Sequence, residues 1–152
     1  MYLRRLIGVG DRILAATLPL AAVGIAANLT WPSVFRTGLG AAGRVASIVL
    51  LASGVALYLT SLTQVQVLIN VPRGRLITTG AFALVRHPLY CAVSLLVIPG
   101  CGLLLDSWLG SVLGATMYVA SRHFRGLEEA HLAAAFGDAY RTYRARVLLP
   151  WL

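Results

Sequence analysis

Charge is scarce in this sequence, and lysine is missing altogether. Charged residues make up 12% of the 152 positions, against roughly a quarter in an ordinary globular chain. Hydrophobic residues reach 59%, which leaves too little polar surface to cover a fold in water. A conventional soluble domain is therefore excluded. All thirteen basic residues are arginines and the net charge is +8. Even so, no zinc-finger spacing, basic helix with interleaved aromatics or Gly-rich phosphate loop is present, which argues against nucleic acid as a partner. The two cysteines, Cys91 and Cys101, share one apolar run. Ten residues of helix hold them about 15 Å apart, too far for a disulfide, so both are expected to be small buried hydrophobes.

What is present in quantity is long apolar sequence. Four uncharged stretches, residues 13–29, 45–63, 89–105 and 107–121, approach the ~17–25 residues that cross ~30 Å of hydrocarbon. The fourth is short, but its helical pattern runs on beyond Arg122. The expected fold is all-α, an integral membrane bundle of four transmembrane helices in one domain over residues 1–152. Pro19, and the lack of a small-residue cleavage site, argue against a signal peptide at the first stretch.

Arginine placement sets the expected orientation. Arg4, Arg5 and Arg12 precede the first stretch. Arg73, Arg75 and Arg86 lie between the second and third, and Arg122, Arg125, Arg141, Arg144 and Arg146 follow the fourth. Eleven thus fall on one side against two, Arg36 and Arg44, on the other. Both termini and the loop after the second stretch are expected in the cytoplasm, with Trp31 and Trp108 at the opposite interface. A bacterial inner membrane is the expected location. Asp106-Ser107 must form a tight hairpin between the third and fourth stretches. Gly110 and Gly114 offer a small-xxx-small face for helix contact, and Pro99-Gly100 with Gly102 predicts a kink.

Two motifs carry the chemistry. One reads Leu76-Ile77-Thr78-Thr79-Gly80-Ala81-Phe82, then Val85-Arg86-His87-Pro88-Leu89-Tyr90; the other contains Glu128-Glu129, Leu132, Phe136-Gly137, Tyr140, Tyr143 and Val147. In this order, about 40 residues apart, they resemble the isoprenylcysteine carboxyl methyltransferase family and its phospholipid methyltransferase relatives. The resemblance covers roughly residues 65–150 and implies a membrane enzyme that uses S-adenosylmethionine. Methyl transfer from a sulfonium is an in-line displacement, so the protein must chiefly position two reactants and exclude water. A polar donor and a lipophilic acceptor require a site open to the cytosol and to the bilayer, and the arginine-based topology puts both motifs on the cytoplasmic side. The chain has no Gly-rich turn of the kind that binds nucleotides on a Rossmann sheet.

The resemblance further implies that Gly74, Arg75, Leu76, Ile77, Phe82, His87, Pro88, Leu89 and Tyr90 line the cofactor pocket. Phe82 stands where the family has tyrosine. It also implies that Glu128, by register with Phe136-Gly137, anchors the ribose hydroxyls or the α-amino group. Pro88 at a first helical turn costs no hydrogen bond, and the free N–H groups there suit a carboxylate. The family's acceptor-binding arginine lies four residues before its glutamate, where this chain has Phe124. Arg125 and Arg122 flank it, and Arg125 lies four residues before Glu129. Arg125 and Glu128 are the expected catalytic pair, with a prenylcysteine-like carboxylate as acceptor and membrane lipid as surroundings. His123, Glu128 and His131 lack the second Glu-x-x-His motif and extra glutamates of a di-iron site, so no metal is expected. Gly137 should end a helix, and Asp138 should cap an amphipathic segment with Tyr140, Tyr143 and Val147 on one side and Arg141 and Arg144 on the other. The alternatives are a related sterol-type membrane reductase using NADPH, for which the loop over residues 64–90 is small, a phospholipid N-methyltransferase, and a non-enzymatic membrane partner.

Overall fold

The computed structural model describes residues 2–65, 74–150 and 152, so Arg73 lies outside it. Among the described residues the chain is helical, with no strand beyond two isolated bridges. α1 (Tyr2–Thr30) leads into a single turn, α2 (Pro32–Phe35), which starts at its proline, and then into α3 (Gly40–Val65). A short α4 (Ala81–Leu84) precedes α5 (Pro88–Cys91), which continues through a π-helical segment (Ala92–Val97) into α6 (Ile98–Leu104). α7 (Leu109–Arg146) completes the fold.

Gly10–Thr30 of α1 and Gly40–Leu62 of α3 are long and apolar enough to cross a membrane. The core helix of a soluble protein would be mostly buried, whereas these bury only 6% and 17% of their apolar windows. Val23 is 68% exposed and Ile48 62%, an outward apolar surface that suits lipid and not water. The chain is thus a membrane protein. Residues 89–105 correspond to Pro88–Leu104, which is apolar but shorter, and residues 107–121 to the first part of α7. Among the described residues two helices are long and apolar enough to span where four were expected, because the third rod is brief and the apolar part of α7 gives way to a polar continuation.

The packing is less bundle-like than expected. α1 packs on α7, α7 on the rod formed by α5, the π segment and α6, and that rod on α3. The helices follow one another as a row with α1 and α3 at its edges. Glycine makes the inner contacts possible: a Cβ on Gly102 would lie 2.6 Å from the Gly110 Cα, so the α6 and α7 backbones touch there. Gly114 likewise sits against the Ser94 carbonyl and the Pro99 ring, as a small-residue face predicts. The disturbance expected at Pro99 occurs a turn earlier, as the π segment. Proline offers no N–H to the preceding turn, a π turn adjusts the ladder, and the Ser94 hydroxyl donates to the Tyr90 carbonyl at 2.5 Å.

The tight hairpin turns at Asp106, whose φ of 52° is the one positive value among the described non-glycine residues. Its carboxylate accepts from the Thr37 hydroxyl (2.5 Å) and the Gly38 N–H (3.1 Å) and pairs with Arg36 (3.4 Å). The Thr37 hydrogen bond, aided by Gly38 and Arg36, holds it below the usual carboxylate range. Trp108 packs on Phe35 at 5.1 Å and donates its indole N–H to the Val34 carbonyl. Both cysteines are free, as expected, but only Cys91 is buried. Cys101 is exposed, on α6 between two glycines that face inward and are buried.

Candidate active site

The site is assembled by clamping the loop before α5 against the far end of α7. Gly137 has φ 51° and ψ −121°, a backbone state that breaks the helix inside α7. The expected stop is there, but the helix resumes directly. Beyond it Tyr140, Tyr143 and Val147 are buried and pack with Leu76, Phe82, Leu132 and Phe136. The Tyr143 hydroxyl donates to the Phe82 carbonyl at 3.0 Å. Leu148 and Leu149 donate their N–H groups to the Ala83 and Leu84 carbonyls at 3.1 and 2.9 Å. Arg141 and Arg144 face outward as expected, while Asp138 pairs with Arg141 at 2.6 Å instead of capping.

Four charged side chains and one imidazole meet beneath this clamp. His87 precedes α5 and is 6% exposed. Its Nε2 lies 3.3 Å from Glu129 Oε1, and its Nδ1 lies 4.0 Å from Glu128 Oε2, too long for a hydrogen bond. Arg86 donates to the same Glu129 oxygen at 2.7 Å and to the Pro150 carbonyl at 2.6 Å. Arg125, 4% exposed, lies on α7 three and four residues before the glutamates and so shares their face. Among the described residues it forms no salt bridge.

Adjacent carboxylates therefore occupy opposite electrostatic states. The hydrogen bond from His87, reinforced by the Arg86 charge, holds Glu129 down to about 2. Burial pushes Glu128 up, its neighbour Glu129 pushes the same way, and His87 and Arg125 oppose them. Among the described residues Glu128 Oε2 is buried with no hydrogen-bond partner, as is Arg86 Nε. Burial, then repulsion from Arg122 and Arg86, lowers the Arg125 guanidinium.

Of the residues expected here, the structure brings together His87, Tyr90, Arg125 and Glu128, with Pro88 buried beneath His87 and Leu89 half-buried alongside. The Tyr90 ring lies 6.0 Å from that of His87, and Tyr90 feels the Glu128 charge. Leu76 and Phe82 sit in the tyrosine cluster, where their visible role is packing. Ile77 is half-buried, and Gly74 and Arg75 are exposed and outside the ionic cluster. Sequence reasoning missed Arg86 and the backbone contacts of residues 148–150, and gave Glu129 no role of its own. A signal for Arg86 was present, since it adjoins His87 in the motif before α5 and α7 carries two adjacent carboxylates.

The phospholipid methyltransferase family model matches residues 42–139, more than half of the chain. The chain belongs to this family. No curated protein and no solved structure matches it. The matched part of this membrane methyltransferase runs from α3 into α7 and contains Arg86, His87, Arg125, Glu128 and Glu129. α1 and the clamp residues from Tyr140 onward lie outside it.

Proposed function

We propose that the chain transfers a methyl group from S-adenosylmethionine to a lipophilic acceptor at the cluster around His87 and Glu128. One observation carries the reading: Glu128 Oε2 is buried and has no hydrogen-bond partner among the described residues. An unsatisfied buried polar group costs about 1–3 kcal/mol, and more when charged. A ligand bearing an ammonium or vicinal hydroxyls would satisfy it, and the donor bears both. When bound, S-adenosylmethionine would supply a methyl on a sulfonium: an acceptor oxygen would bond to that carbon in line as the carbon–sulfur bond breaks and the neutral thioether, S-adenosylhomocysteine, leaves.

The residues present fit that group. Glu128 accepts from the donor's ammonium or ribose hydroxyls, while His87 and Tyr90 wall the pocket beside it. Arg125 is buried without an ion pair among the described residues, beside Arg122 and Arg86, and it takes an anionic group bidentately. The acceptor that follows is a carboxylate on an amphiphile, of the prenylcysteine kind. A second reading, favoured by the matched family's description, is an ethanolamine phospholipid. There Arg125 would hold the phosphate while the amine is methylated. The guanidiniums of Arg125 and Arg122 oppose the positive charge that develops on an amine nitrogen, so the carboxylate stands first.

In the proposed arrangement all four rods cross the membrane, with both termini and the loop before α5 in the cytoplasm. The eleven-to-two division of arginines supports this. The deciding experiment is calorimetric titration of purified protein with S-adenosylhomocysteine and with NADPH. Binding of the first alone is expected; binding of NADPH alone would replace this reading with a reductase. Transfer of labelled methyl to an S-prenylated cysteine carboxylate, compared with phosphatidylethanolamine vesicles, then decides the acceptor.

A further inference from the structure

Arg86 joins three parts of the site, yet nothing in the proposed chemistry calls for it. Its side chain is 9% exposed. One terminal nitrogen donates to Glu129 Oε1 at 2.7 Å and the other to the Pro150 carbonyl at 2.6 Å. That carbonyl is held in place by its neighbours: Leu149 pairs with Val85 as an isolated parallel bridge, and Leu148 and Leu149 hydrogen-bond to the Ala83 and Leu84 carbonyls. Residues 147–150 thus form a strap that grips the loop carrying Arg86 and also binds Arg86 itself.

We infer that Arg86 is a positioning residue: clamped by the strap, it neutralises Glu129 so that Glu128 alone remains to receive the donor. This rests on the reading of Glu128 as the donor's anchor. Two carboxylates adjacent on one helix, facing one buried imidazole, would otherwise compete for the same partners and share a proton. Arg86 removes the symmetry by engaging the oxygen that His87 also reaches. The electrostatic states agree, with Glu129 held far down and Glu128 pushed up.

The groups facing each carboxylate come from every packed element. Around Glu128 lie His87 and Tyr90 from the loop and α5, Arg125 and Glu129 from α7, and Tyr140 beyond the Gly137 break. Around Glu129 lie Arg86 and His87 from the loop, Arg125 from α7, and Tyr140, Tyr143 and Arg144 from beyond the break. Among the described residues Arg86 is the closest cation to Glu129, and none lies as near Glu128.

A double-mutant cycle read as S-adenosylhomocysteine affinity against pH tests this. R86Q should weaken binding by about tenfold or more and move its midpoint to higher pH, because the freed Glu129 then shares a proton with Glu128. Adding E129Q to R86Q should restore affinity to within about threefold of wild type and return the midpoint. R86K should rescue partly, since a point charge can neutralise Glu129 but cannot span both partners. A chain ended at Val147 should behave like R86Q. If the double variant binds as weakly as R86Q, Arg86 acts on the ligand or on folding and the inference is wrong. If the chain ended at Val147 binds like wild type, the strap has no part in it. A wild type that binds no S-adenosylhomocysteine, or an E128Q variant that binds it normally, would sink the reading of Glu128 and this inference with it.

Discussion

Glu128→Gln and Glu129→Gln should shift stability in opposite directions and lower donor affinity to different degrees. The first substitution keeps the shape of the side chain and removes its charge. A hydrogen bond to a charged group contributes about 1.5–3 kcal/mol, so affinity for S-adenosylhomocysteine should fall roughly 10- to 150-fold at 1.36 kcal/mol per decade. Without ligand the effect reverses. Burial raises the Glu128 carboxyl in the folded state, so this group favours folding at low pH, and that contribution is lost as pH rises through the raised value. Above that raised value the amide removes a buried charge, and the ligand-free Tm should rise. Glu129 has the contrary sign. Its folded pKa is lowered from 4.5 to about 2, so its contribution is complete above the ordinary carboxylate value and is lost as pH falls toward 2. That interval corresponds to about 3 kcal/mol, and discounting for partial solvation leaves about 1–2 kcal/mol. Glu129→Gln should therefore lower Tm at pH 7, with the gap to wild type closing in acid, while affinity falls less than in Glu128→Gln. Calorimetry and thermal unfolding across pH, on detergent-solubilised protein, read both quantities. A Glu129→Gln variant with unchanged Tm and the larger loss of affinity would refute the division of roles.

Arg125→Ala should reduce turnover on a carboxylate acceptor far more than it weakens donor binding, and Arg125→Lys should rescue poorly because it lacks the planar fork. Full turnover in Arg125→Ala alongside loss in Arg122→Ala, measured with labelled donor, would move the acceptor role to Arg122. Gly110→Ala should destabilise by about 1–3 kcal/mol through overpacking, since the new methyl meets the Gly102 Cα at 2.6 Å. Gly126→Ala, with nothing within 4 Å, should be neutral or stabilising, and parallel thermal melts compare the two. Reporter fusions at Leu152 and within residues 31–43 should place the first in the cytoplasm and the second outside, and an external Leu152 would overturn the proposed topology.

Much of the helical framework was legible in the sequence because bilayer thickness and apolar length are tied by simple geometry. Residues 13–29 and 45–63 fall inside the two longest apolar helices. Pro88 starts α5 and Gly137 breaks α7, since each restricts or frees one backbone angle. The row arrangement was not legible, because apolar faces toward lipid and toward a neighbouring helix look alike in sequence. The π segment was missed for a related reason: Pro99 announces a disturbance, but the segment itself packs closely on Gly54 and Gly114 of other helices, contacts that sequence does not reveal. At the site, His87, Tyr90, Arg125 and Glu128 were read from motifs that carry their chemistry in side chains. The hold of residues 148–150 on the loop is made by backbone groups, which every residue possesses and no motif records.

The pairing of residues 83–86 with 148–150 also orders events in time. The hairpin at Asp106 joins neighbours in sequence, so it closes at little entropic cost and should form early. The contacts Arg86–Pro150 and Phe82–Tyr143 span 64 and 61 residues, so they come together only after the rods that carry them are in place. The proposed donor site should therefore be completed after the helices are built, and a chain with its full helical content but an open strap should lack it.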